Sequence, residues 1–225
     1  MHIKIIFCSE NENKLKEYQA LCDNIDSDQK NNTFELIRWN PNIEIEEIQS
    51  LDSNKIALRK LNDVFNQFQL DFHLGKLAFM EDANNWNQEL QYWLMVEDTS
   101  FCIENMNGFP GPLIKFYLNS VPNWKICCQN MKSNAESIVS LGVGRILYSP
   151  ERKDIYLGYQ TCLEGVITGK IADQPQGTNG FGYDPIFIPD GSDKTYAEMT
   201  MEEKDKINAR LICIESMIIY MKNFN

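Results

Sequence analysis

Leu94-Met95-Val96-Glu97-Asp98-Thr99, followed by Ser100-Phe101-Cys102-Ile103, is the stretch on which the reading of this chain turns. An apolar run meets two adjacent carboxylates and a hydroxyl, and the apolar pattern then resumes. The run reads as a buried strand that ends at Glu97-Asp98-Thr99, placing charge at a strand's C-terminal end, where sheet proteins hold ligands. A solvated strand terminus is the plainer alternative for any isolated Glu-Asp pair. The surrounding sequence has to decide between them.

Upstream, His2-Ile3-Lys4-Ile5-Ile6-Phe7-Cys8 reads as a first strand and Asn13 to Cys22 as a helix with Leu15, Tyr18, Leu21 and Cys22 on one face. Between them lies Ser9-Glu10-Asn11-Glu12-Asn13-Lys14. A strand, a tight polar loop and a helix N-terminus can receive an anion, with Ser9 and Asn11 as donors and Lys14 beside them. An ordinary helix cap with a surface lysine explains the loop equally well by itself. Residues 23–32 read as a polar loop, Thr33 to Trp39 as a strand, and Ile43 to Gln49 as an alternating segment rich in glutamate. A second helix is expected from about Lys55 to Phe68, carrying Lys55, Arg59 and Lys60 on its polar side. Residues 71–93 resist assignment and look like an insertion.

Downstream, Asn107-Gly108 signals a turn and Phe109-Pro110-Gly111-Pro112 a bent connection. Helices are expected near Leu113 and over Trp124 to Cys128, then strands over Ile138–Val143, Ile155–Tyr159 and Val166–Gly169. In Gly177-Thr178-Asn179-Gly180-Phe181-Gly182-Tyr183-Asp184-Pro185 the glycines allow close approach or positive φ. If that segment is extended, Phe181 and Tyr183 point to one face, and two rings beside a carboxylate suit a flat heterocycle. A bulged strand with core aromatics is the competing reading. Thr200-Met201-Glu202-Glu203 is a capping box opening a last helix, whose stripe is Ile207, Leu211, Ile214 and Ile218. Arg210 borders that stripe, and Lys204 falls in the first turn, where the helix dipole disfavours a cation.

The totals narrow the function. A net charge of −11 argues against nonspecific nucleic-acid binding, so an anionic small ligand would need a metal and local Lys and Arg. No run of about 20 apolar residues is present to span a membrane. Seven cysteines without Cys-x-x-Cys, and only two histidines, argue against a zinc site or disulfide framework and for a reducing compartment, most simply the cytosol.

Taken together these residues resemble the inosine triphosphate pyrophosphatase family. The likeness runs through Ser9-Glu10-Asn11 with Lys14, Glu47-Ile48-Gln49, Val96-Glu97-Asp98-Thr99, and Asn107 to Pro112 with Lys115. It continues through Asn179 to Pro185, Thr195-Tyr196-Ala197-Glu198-Met199 and Glu203-Lys204. The resemblance implies an elongated α/β protein: one domain over 1–225 with a long central mixed sheet flanked by helices, two lobes around a nucleotide cleft, and usually a homodimer. It implies hydrolysis of ITP, dITP or XTP to the monophosphate and pyrophosphate with Mg²⁺, Mn²⁺ being a possible substitute. Glu47 and Asp98 are then the metal ligands and, with Lys14, the catalytic residues. Ser9, Asn11, Lys14, Lys60, Thr99 and Lys115 would bind substrate, as would Phe181, Gly182, Tyr183, Asp184, Lys204 and Arg210. Arg210 has only donors, which match a 6-oxo purine and not adenine. Two positions depart from the pattern. Asn208-Ala209-Arg210 stands where the family has Ser-His-Arg, and Glu10 stands where it has glycine. Altered selectivity or weakened catalysis on the same fold is therefore the alternative.

Overall fold

The computed structural model describes residues 2–28, 33–41, 45–80, 90–120 and 123–224. The described chain is α/β. Strand β1 (His2–Phe7) leads through helix α1 (Glu12–Asp28) to β2 (Thr33–Arg38), and helix α2 (Ser53–His73) precedes β3 (Leu90–Ile103). A two-residue strand β4 (Pro110–Gly111) is followed by helices α3 (Ile114–Ser120) and α4 (Trp124–Asn130). The long strands β5 (Asn134–Ser149) and β6 (Asp154–Ile171), short β7 (Phe187–Pro189) and helices α5 (Met201–Asp205) and α6 (Ala209–Lys222) complete it. The sheet order is β2-β1-β3-β5-β6-β7, with β4 paired to β3. β1 is parallel to both β2 and β3, whereas β4 and β7 pair antiparallel, so the sheet is mixed as expected. Strands β3, β5 and β6 have 14, 16 and 18 residues, about three times the usual length.

The chain divides into two compact units, Met1–Ile48, Lys55–Glu97 and Leu141–Cys162 forming one, and Gln49–Asn54, Asp98–Ser140 and Leu163–Asn225 the other. The first unit is built on α2. Its Leu61, Val64, Phe65 and Phe68 recur at helical spacing and pack with Ile6, Tyr92, Leu94, Val96, Ile146 and Ile155. Each such side chain contributes roughly 1.5–3 kcal/mol on burial. In the second unit Phe101, Ile103, Ile114, Cys127 and Cys128 pack with Ile171, Tyr183, Ile186, Phe187, Tyr196 and Met199.

Several boundaries differ from the sequence reading. Helix α1 continues to Asp28, through the first part of the expected loop, because 23–28 carries neither glycine nor proline to stop it. Residues 29–32 of that loop lie outside the described residues. Ile45 to Gln49 forms no strand: Ile45 packs on the core of the first unit while Glu46, Glu47 and Ile48 are exposed. Residues 42–44 are outside the described set. Helix α2 starts two residues earlier and ends five later than expected. The strands expected at 155–159 and 166–169 are one strand, β6, and the polar Gln160 and Glu164 between them occupy its exposed positions. Of the supposed insertion, 71–73 end α2 and 90–93 begin β3; 81–89 are not described. The predicted last helix is two. α5 opens with the expected capping box at Thr200 and Glu203, and α6 restarts with Asn208 as N-cap. Lys204 therefore stands in the last turn of a short helix, where a cation is favoured, and not in the first turn of a long one.

Gly142 lets α2 approach β5. A Cβ there would stand 2.8 Å from the Ala57 carbonyl oxygen and 3.0 Å from Val96 Cγ2. Gly142→Ala is expected to lower stability by about 1–3 kcal/mol in urea denaturation, because backbone and a β-branched side chain must both shift.

Candidate active site

Glu97 and Asp98 lie in the middle of β3, not at a strand end. Strand alternation sends adjacent side chains to opposite faces, so the two carboxylates have different surroundings. Both are buried. Glu97 belongs to the first unit, where its Oε1 meets Lys14 Nζ at 3.0 Å. A carboxylate so deeply buried requires a counter-charge, and Lys14 supplies it. The strands fix this meeting: Phe7 pairs with Met95, and the Cys8 amide donates to the Met95 carbonyl, which sets the following loop beside Glu97.

In that loop Asn11 Oδ1 accepts from the amides of Asn13 at 2.9 Å and Lys14 at 3.2 Å, so Asn11 caps α1. Ser9 Oγ accepts from the Asn11 amide. These side chains hold the loop, in which Lys14 is the cation beside the acidic Glu10 and Glu12. Lys60 on α2 donates to Glu47 Oε1 at 2.7 Å, joining a predicted phosphate contact to a predicted metal ligand. The Cys8 thiol is pushed up to about 11 by burial, with Lys60 opposing the shift and Glu10 adding to it. It is neutral at neutral pH and is no nucleophile.

The second unit assembles the other residues. Asp184 Oδ2 accepts from Lys204 Nζ at 2.7 Å and from the Phe181 amide at 2.8 Å. Asp184 and Lys204 are 4 % and 7 % exposed, so the pair is shielded from water. The Phe181 ring has Lys204 Nζ at 5.3 Å and Arg210 Cζ at 5.5 Å from its centroid. Arg210 Nη2 reaches Thr99 Oγ1 at 3.5 Å, a long contact, and its backbone amide donates to Asn208 Oδ1.

The glycine-rich loop is bent, not extended, with positive φ at Gly177, Gly180 and Gly182. Phe181 and Tyr183 consequently part company. Tyr183 turns into the core, stacked on Phe101 at 4.3 Å, and is not the second ring of a base-stacking face. Gly182 is exposed in the turn, and Lys115 is exposed on α3 without an ion pair among the described residues.

Sequence reasoning missed what fastens this loop. The amides of Thr178 and Asn179 donate to the Ala197 carbonyl, Asn179 Nδ2 to Met199, and Thr195 Oγ1 to the Gln176 carbonyl. Thr195 and Glu198 form a second capping box, legible in Thr195-Tyr196-Ala197-Glu198 by the rule that found Thr200 and Glu203.

Residues 5–220 match the family model described as the Ham1 family. The chain belongs to the Ham1 family. It is 32% identical over 208 residues to the inosine triphosphate pyrophosphatase of Saccharomyces cerevisiae, covering 92% of this chain and 90% of that one. It is 37% identical over 135 residues to a dITP/XTP pyrophosphatase of Methanopyrus kandleri, covering 58% of this chain. That match spans 65% of the archaeal protein, just under two thirds of its length. A HAM1 protein structure from Coxiella burnetii superposes with a TM-score of 0.62 at 20% identity, covering 98% of this chain and 99% of that one, which establishes the shared fold.

Two measurements test these buried groups. Asp184→Asn leaves the Lys204 ammonium buried without its counter-charge, and is expected to lower stability by about 3–5 kcal/mol in urea denaturation. Asp184→Asn combined with Lys204→Met should recover much of that loss. Burial also pushes the thiols of Cys8 and Cys128 from 9.0 to about 11, so the unfolded chain releases these protons first. Their contribution to stability is complete below about pH 9 and is lost as pH rises toward 11. Denaturation midpoints should therefore be level from pH 7 to 8.5 and fall above pH 9, less steeply in Cys8→Ala.

Proposed function

We propose that this protein hydrolyses deaminated purine nucleoside triphosphates (ITP, dITP and XTP) to the monophosphate and pyrophosphate. The observation that carries the reading is the group around Phe181. One half-buried ring has two donor-only cations near it, Arg210 and Lys204, and Asp184 within reach of the latter. A purine stacked on Phe181 would meet donors at a 6-oxo group, whereas the amino group of adenine would leave them unpaired at a cost of roughly 1–3 kcal/mol each. The named relatives support the same substrates.

Phosphates are assigned to Lys14 and Lys60, with Ser9 and Asn11 shaping the loop before α1. Water attacks the α-phosphorus, a new P–O bond forms, the α–β bridging bond breaks, and pyrophosphate leaves. Glu97 is committed to Lys14, which favours Asp98 as the carboxylate of the pair that orients the water. The donors suit a hard cation. Glu47 and Asp98 offer oxygen alone. Magnesium takes one or two carboxylates and fills its shell with phosphate oxygens and water. When bound it would neutralise triphosphate charge, as an acidic chain requires; manganese would substitute.

A cytosolic homodimer completes the proposal. Seven free cysteines support the reducing compartment, and no described helix is long and apolar enough to cross a membrane. Sedimentation at twice the chain mass of 26.1 kDa is expected; a monomer would refute the dimer.

The deciding measurement is pyrophosphate release from ITP, dITP, XTP, GTP and ATP with magnesium. Deaminated purines should be favoured in kcat/KM by at least about tenfold, a difference of one 1.4 kcal/mol step. EDTA should abolish release, and Asp98→Asn should lower kcat at least about 100-fold while retaining the fold. Release from none of the five, with nucleotide binding intact, would sink the enzyme reading. A preference for ATP or GTP would point to Ala209, buried where the family carries histidine.

A further inference from the structure

We infer that Ser137, acting through Tyr183, is a positioning residue for base recognition. It pins the turn that presents Phe181 and Asp184. The inference rests on assigning those two residues to the base, as proposed above.

The turn cannot be stiff by its own backbone. Gly180 and Gly182 flank Phe181, both with positive φ, and glycine populates that region at little steric cost. A Cβ at Gly180 would collide with the Asp184 carboxylate, so the glycine is also what allows that side chain to fold back onto the Phe181 amide. Such a turn needs an anchor outside itself, and Tyr183 provides one.

The Tyr183 ring stacks on Phe101 with a 4.3 Å centroid distance and an 18° interplanar angle, and meets Phe187 edge-on at 6.3 Å. Stacking alone would let the ring slide in its plane. Its hydroxyl fixes the depth: Tyr183 Oη and Ser137 Oγ share one hydrogen bond of 2.7 Å, in a place where both residues are buried. Ser137 stands on β5, within the sheet. A buried phenol that left this partner would lose a hydrogen bond with no water to replace it, so the bond selects one position for Tyr183.

Position 183 adjoins Asp184 and lies two residues from Phe181. Tyr183 also closes the turn through its carbonyl, which accepts from the Ile186 amide, while the Asp184 amide donates to Phe181. Any shift of Tyr183 is therefore passed to the ring and the carboxylate that Lys204 and Arg210 address. Neither Ser137 nor Tyr183 need touch the nucleotide to set its selectivity.

The test measures binding of IMP and AMP by calorimetry, together with hydrogen exchange of the 177–184 amides. Ser137→Ala and Tyr183→Phe remove the same bond from opposite sides, and the second leaves no cavity. Each should reduce the IMP-over-AMP preference by roughly five- to tenfold and speed exchange in 177–184, leaving affinity for inorganic pyrophosphate unchanged. Ser137→Thr keeps the hydroxyl and should restore the preference. Undiminished preference and exchange in a folded Ser137→Ala or Tyr183→Phe protein would overturn the inference. So would an equal loss of pyrophosphate affinity. A reduced IMP-over-AMP preference with faster exchange in both variants, beside a wild type that releases no pyrophosphate from ITP, would uphold the positioning role and refute the proposed function instead.

Discussion

The buried pair between Asp184 and Lys204 is the constraint around which the second unit is arranged. Two charges withdrawn from water repay their desolvation only where geometry and further hydrogen bonds are good. Here the carboxylate takes the Phe181 amide as a second donor, and the ammonium lies 5.1 Å from the Tyr196 ring centroid as well as near Phe181. Meeting those demands dictates the neighbourhood. A glycine is required at 180, Lys204 must fall in the last turn of a short helix, and the chain must break before Asn208 so that α6 can begin again with Arg210 in its first turn. Tyr196 secures the break, its hydroxyl donating to the Ile207 carbonyl at 2.7 Å.

The first unit treats charge differently. Its two assigned cations, Lys14 and Lys60, are each held by a carboxylate, Glu97 and Glu47, and each is only partly buried. Lys14 is the third residue of α1, where the helix dipole already disfavours a cation, so Glu97 offsets that field and desolvation together. Paired lysines are aimed lysines: a four-carbon stem with three free donors would otherwise sample many positions at a cost of up to about 2 kcal/mol in rotamer entropy when ordered. An acidic chain thereby keeps two cations in fixed places without a broad positive surface.

Signals with a local cause were legible in the sequence. Thr200 and Glu203 specify a cap by spacing alone, Asn11 stands where a helix must be capped, and the stripe of Leu61, Val64, Phe65 and Phe68 declares its period. The Ham1 motifs placed Asp184, Lys204 and Arg210 together although they are distant in sequence, and the structure unites them. What failed depended on tertiary context. Glu97 and Asp98 read as a strand end because charge seldom enters a buried strand, yet Lys14 arrives from another element to permit it. Tyr183 read as a ligand ring because alternation assumes an extended chain, whereas positive φ on either side of Phe181 reverses its direction. The glutamates at 46 and 47 read as a strand because apolar alternation permits a strand without requiring one.

The mid-strand position of Glu97 and Asp98 makes their order a piece of information separate from their identity. Neighbours on β3 look to opposite faces, and the pairing of Phe7 with Met95 fixes which face each receives. Exchanging the two into Asp-Glu would leave mass, formal charge and isoelectric point untouched, yet would offer Lys14 a shorter acid and lengthen the other by a methylene. Two chains identical in every bulk property could thus differ in whether a lysine is held at all.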